Sequence, residues 1–119
     1  MKYACLIYAD ESDATISPNP GDPGFDEMME GYAAFSAAVE AAGVWVGGEP
    51  LEVTAMATSV QLRQGEVLTT DGPFAETKEQ LGGFYILECE SLDEAIAWAA
   101  KIPHAASGTV EVRPVPDFG

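Results

Sequence analysis

Cations are scarce in this chain, with 5 Lys and Arg against 20 Asp and Glu, a formal charge of -15 over 119 residues. Such a field repels phosphate backbones and anionic lipid, so neither nucleic-acid nor membrane binding is expected. A basic protein partner or a small ligand suits the electrostatics better, and the charge also serves plain solubility. Histidine is rarer still, with His104 alone, and without clustered soft ligands no zinc or copper site is recognisable. The 2 cysteines, Cys5 and Cys89, lie on separate strand-like runs without CxxC spacing, which predicts reduced core thiols and no disulfide framework. No apolar run reaches the roughly 18 residues that span a bilayer, and the N-terminal MKYACLIYADESD breaks off into acids without a signal-peptide cleavage site. A cytoplasmic location is the expectation. P-loop, GxGxxG and Ser/His/Asp patterns are missing as well, and no cofactor is inferred.

What is present is enough for one compact domain over residues 1–119, since 47% of the residues are apolar. KYACLIY, residues 2–8, reads as a buried strand, and the proline- and glycine-rich segment 9–24 as a loop. From Phe25 the period changes. Phe25, Met28, Met29, Tyr32, Phe35 and Val39 recur at three- and four-residue steps, a helical core stripe that Gly43 ends. A short strand VWVGG follows. Alternation from Met56 through Leu62, a reversal at Gly65 and the return EVLTT then predict a hairpin.

GGFYILECE is the strongest strand signal in the chain. SLDEAIAWAAKIP opens a helix with a capping box between Ser91 and Glu94, and Leu92, Ala95, Trp98, Ala99 and Ile102 form its expected buried stripe. GTVEVRPV is the last strand. The order strand, helix, strand, hairpin, strand, helix, strand predicts an α+β fold, a ferredoxin-like antiparallel sheet with two helices on one face. The other face would stay wet unless a second copy covered it, which predicts a homodimer with a pocket between the subunits.

One stretch is denser in chemistry than the rest: TTDGPFAETKEQLGGFYIL, residues 69–87. Asp71, Gly72 and Pro73 form a rigid turn signature, with Phe74 next, and Glu76, Lys78 and Glu79 surround Thr77. Two readings are open. The charges belong to a solvated turn, or Asp71 acts as acceptor or base while Lys78 stabilises an anion in a pocket. Strand alternation adds Tyr8, Asp10, Glu111 and Arg113 as groups lining or rimming the interior if the polar faces turn toward the second subunit. Arg113 either pairs with Glu111 or orients a carboxylate ligand. His104 follows a helix C-terminus, where a capping role and an acid–base role are both open.

The run DGPFAETKEQLGGFYILECESLDEAIAWAAKIP, together with KYACLIYADE, AAGVWVGGEPL and GTVEVRPV, resembles the DGPF branch of the YCII-related family over nearly the whole chain. The resemblance implies a dimeric α/β barrel made of two ferredoxin-like subunits paired sheet to sheet. It also implies a pocket faced by a histidine and an aspartate, with Asp71 matching the aspartate; His104 does not sit on the first helix, where the match would place the histidine. Genes of this branch are associated with extracytoplasmic-function sigma factors. Three functions follow as expectations: a cofactor-independent enzyme of proton transfer, isomerase or lyase type, a sensor or interaction module with a sigma-factor partner, and a structural role of the DGPF turn in the dimer.

Overall fold

The computed structural model describes residues 1–119. Its elements are β1 (Lys2–Ala9), α1 (Phe25–Ala41), β2 (Trp45–Pro50), β3 (Thr58–Arg63), β4 (Glu66–Asp71), β5 (Gln80–Glu88), α2 (Leu92–Ala99) and β6 (Thr109–Pro114). Four strands make an antiparallel sheet in the order β2-β5-β1-β6, the ferredoxin-like arrangement that the element order predicts. β3 and β4 form a two-stranded sheet of their own. No helix is long and apolar enough to cross a membrane.

Alternation decides which face of the sheet is buried. Tyr3, Cys5, Ile7 and Ala9 on β1, and Tyr85 and Leu87 on β5, are buried beneath the helices. Phe35 and Val39 of α1, and Ala95 and Ala99 of α2 with Ile102 beyond its end, close the core from above. Val110 and Val112 of β6 pack at its margin, and Trp98 meets Phe35 edge to face at 6.3 Å between ring centres. Burying this apolar surface at ~25 cal/mol per Å² is the main stabilising term. The two cysteines are buried free thiols.

The opposite face carries Leu6 of β1, Phe84 and Ile86 of β5, and Glu111 and Arg113 of β6, paired across the registers Leu6↔Phe84, Ala4↔Ile86 and Leu6↔Glu111. No element of the chain covers it.

The capping box forms as the spacing predicts, with the Glu94 amide donating to Ser91 Oγ at 3.1 Å. Glu94 reaches back one residue further than the N-cap and accepts from the Glu90 amide at 3.2 Å. Two details depart from expectation. Leu92 is 47% exposed, because it opens α2 at the rim of the core. Alternation from Met56 does not start a strand there: Thr54–Met56 is a turn of 3-10 helix, and β3 begins at Thr58.

The hairpin turns through Gln64 and Gly65 at φ 52° and 77°, a positive-φ pair of the kind that matches strand twist. It packs on nothing. Val60, Leu62 and Val67 are each exposed by more than 60%. The chain is accordingly a plate of 47 × 46 × 19 Å with a radius of gyration of 16.1 Å, against about 13–14 Å for a compact domain of this length.

Candidate functional site

A cavity of about 470 Å³ opens on the helix side of the sheet, between α1, the β2–β5 edge and the loop after β1. Its apolar wall includes Met28, Met29, Leu51 and Val53. Met28 and Met29 therefore do not belong to the closed core that helical periodicity assigns them. They lie toward the N-terminal end of α1, which overhangs the cavity, and Met29 is 46% exposed. Apolar walls with a few convergent polar groups are what a small-molecule site requires.

The convergent pair is Tyr32 and His104. Tyr32 Oη lies 2.5 Å from His104 Nδ1, and His104 Nε2 lies 2.9 Å from the Ile16 carbonyl oxygen. A carbonyl can only accept, so the ring carries a hydrogen on Nε2 and, in the neutral imidazole, a lone pair on Nδ1. The Tyr32 hydroxyl then donates to Nδ1. Burial holds the Tyr32 phenol well above the ordinary tyrosine range, with Tyr85 adding to the shift and the backbone of His104 opposing it. The phenol accordingly keeps its proton at neutral pH. With its proton on Nδ1, the Tyr32 oxygen has only lone pairs left to offer a ligand.

The arrangement is built by three separate segments. Pro103–Ala105 forms a 3-10 turn immediately after α2 and carries His104 over α1. The loop after β1 supplies Ile16, held by Asx turns in which Asp10 Oδ1 accepts from Ser12 and Asp13 Oδ1 accepts from Thr15. Hydrogen bonds to Thr15 hold the Asp13 carboxyl below its usual range. At the mouth the Glu11 carboxylate accepts from the Thr54 amide at 3.1 Å and from the Thr54 hydroxyl, tying this loop to the start of the hairpin segment. Gln80 commits both ends of its amide, accepting from the Glu11 amide at 2.9 Å and donating to the Thr77 carbonyl at 2.6 Å.

Of the residues expected from sequence at a site, His104 alone lines this cavity. Asp71 ends β4 on the hairpin and lines an adjoining, more open depression with Pro73 and Thr77, which shares Glu11, Val53 and Gln80 with the cavity. Gly72, at φ 95°, makes the turn there; its amide donates to the Ala57 carbonyl at 2.7 Å and its carbonyl accepts from Ser59 Oγ at 2.8 Å. Phe74 is 88% exposed, and Lys78 lines neither recess. Asp71 and Lys78 thus do not line a common wall in either recess. Asp10 lies in the loop past the end of β1, off the sheet face expected for it. Tyr8, Glu111 and Arg113 share the uncovered face, and Arg113 Nε donates to Glu111 Oε2 at 2.7 Å in an exposed ion pair. That pair raises the Arg113 pKa further.

No group of three His, Cys, Asp or Glu side chains converges as a metal-ligand set. The partner that sequence reasoning missed is Tyr32, which the helical stripe assigned to the core; a lone histidine 72 residues away gives no spacing signal for it.

The family model of the YCII-related domain matches residues 1–119. The chain belongs to the YCII-related family. An uncharacterised protein of Rhizobium meliloti (strain 1021) is 38% identical to this YCII-related domain over 117 residues, covering 97% of this chain and 92% of that one. Among solved structures, 5-chloro-2-hydroxyhydroquinone dehydrochlorinase (TftG) from Burkholderia phenoliruptrix AC1100, in complex with 2,5-dihydroxybenzoquinone, aligns over 98% of this chain and 94% of that chain. The identity is 19% and the TM-score 0.49.

Proposed function

We propose that this protein binds a small organic molecule in the helix-side cavity and moves a proton through Tyr32 and His104. The observation that carries the reading is the Tyr32–His104–Ile16 chain of hydrogen bonds at the wall of a cavity of about 470 Å³. In the step proposed, a ligand proton passes to the Tyr32 oxygen while the Tyr32 proton passes to His104 Nδ1. The imidazolium so formed keeps its Nε2 hydrogen on the Ile16 carbonyl, which fixes the ring orientation as a general base requires. The acid–base role expected of Asp71 falls in this reading to His104, and Asp71 serves the turn at the hairpin root.

The same proposal pairs two copies through the uncovered sheet face. Leu6, Phe84 and Ile86 supply its apolar centre, and an apolar sheet face gains by leaving water. The helix-side cavity stays open in such a dimer.

A thermal-shift screen of amines, alcohols, lactones and aromatic carboxylates, run on wild type, Tyr32→Phe and Met28→Trp, tests the site. The expected result is a stabilising ligand whose shift disappears when Met28→Trp fills the cavity and falls in Tyr32→Phe. A shift of full size in Met28→Trp would place binding elsewhere and sink the assignment.

A further inference from the structure

The charge of the cavity lining and the hydrogen bonds of the Tyr32–His104 pair point to a ligand class. All five cationic side chains of the chain lie outside it. Lys2 begins β1, Arg63 ends β3, Lys78 follows the DGPF turn, Lys101 sits 4.8 Å over the Trp98 ring, and Arg113 is paired with Glu111. The charged residues among its lining, His104 apart, are Glu11, Glu49 and Glu52. An anionic ligand would meet no counter-charge here and would be repelled by a chain of formal charge -15.

Hydrogen-bond capacity points the same way. The Tyr32 proton is engaged by His104 Nδ1 and the Nε2 hydrogen by Ile16, so the pair offers the cavity acceptor sites and no donor. Gln80, the lining amide beside Glu11, has its oxygen on the Glu11 amide and one of its two N–H donors on Thr77. A ligand N–H group satisfies the Tyr32 oxygen. An ammonium has three donors and no acceptor, which matches the acceptor that Tyr32 offers.

We infer that the cavity takes a protonated organic amine with an apolar body, its ammonium directed at the Tyr32 oxygen and the carboxylates of the mouth, its body against Met28 and Met29. This rests on the cavity being the binding site, and it makes the ligand nitrogen the proton donor to Tyr32.

Three probes of one shape separate the charge class from the site: phenethylammonium, 2-phenylethanol and phenylacetate. Calorimetry on wild type is expected to give phenethylammonium at least about tenfold tighter binding than either analogue. That margin is expected to shrink in Glu52→Gln and in Tyr32→Phe, and to weaken with salt. The alcohol or the carboxylate binding as tightly as the amine, with Met28→Trp abolishing it, overturns the amine class and leaves the cavity as the site. Failure of all three probes to bind wild type at millimolar concentration overturns the amine class and the cavity reading together. Amine binding of undiminished strength in a folded Met28→Trp variant does the same, since the charge preference would then belong to another surface.

Discussion

On β1, and on β5 from Gly83 to Leu87, every second residue is buried, whereas not one residue of β3 or β4 is buried. Both regions are antiparallel, with unbroken register along the hairpin from Thr58↔Asp71 to Arg63↔Glu66. Backbone pairing is therefore not what distinguishes them. The sheet has a second layer and the hairpin has none, and an isolated two-stranded ribbon is marginal in water. The cavity is framed by the layered region, while the DGPF turn leaves the bare one. Chemistry that needs sub-ångström placement belongs on the former.

Truncation exposes the contrast most directly. Leu87→Ala, at a fully buried position of β5, should cost ~3–5 kcal/mol in denaturant unfolding, while Leu62→Ala in the hairpin should change the midpoint by under about 0.5 kcal/mol in the monomer. Equal costs would mean that the hairpin is packed in solution. Gly108→Ala probes the sheet edge from another direction. A Cβ at Gly108 would collide with the Tyr8 carbonyl oxygen, so the strand must shift. A loss toward the upper end of ~1–3 kcal/mol is expected, and an unchanged melting curve would contradict the close approach of Gly108 to β1.

Alkaline titration sharpens the comparison without a mutation. Burial, with Cys89 second, pushes the Cys5 thiol from 9.0 up to about 11. The folded pKa lies above the unfolded one, so this contribution is complete below pH 9 and lost as pH rises toward 11, on the order of 2–3 kcal/mol. Unfolding followed from pH 8 to 11 should show the decline in wild type and a shallower one in Cys5→Ala; identical slopes would remove Cys5 as its source. Smallest of all is Arg113→Ala. Its ion pair with Glu111 is exposed and solvent-screened, so the unfolding midpoint should not move measurably. A clear loss would show that the uncovered face is buried in an assembly.

The fold was legible because its signals are local. Period-two alternation on β1, the Ser91–Glu94 capping box and the Gly65 reversal each report a structure spanning a few residues. The site is not local. Tyr32, His104 and Ile16 come from α1, a turn after α2 and a loop after β1, and nothing in their spacing records that they meet. Met28 and Met29 misled for a related reason, since periodicity reports an apolar face of α1 without saying whether that face meets side chains or an open cavity. Asp71 was conspicuous for the chemistry of its neighbours. Where β3 and β4 stand relative to the four-stranded sheet lies beyond any sequence pattern, and that placement puts Asp71 in the depression beside the cavity that His104 lines.

Gln80 makes the signature turn and the cavity inseparable to an engineer. One end of its amide holds the loop that walls the cavity, through Glu11, and the other holds the DGPF segment, through Thr77. Any redesign that re-routes residues 72–79 while keeping the strand that follows must therefore supply a new anchor for Thr77, or Gln80 will turn away and release Glu11. Grafting a different loop onto this hairpin is thus also an edit of the ligand site, and libraries that randomise the turn should be read out for binding as well as for folding.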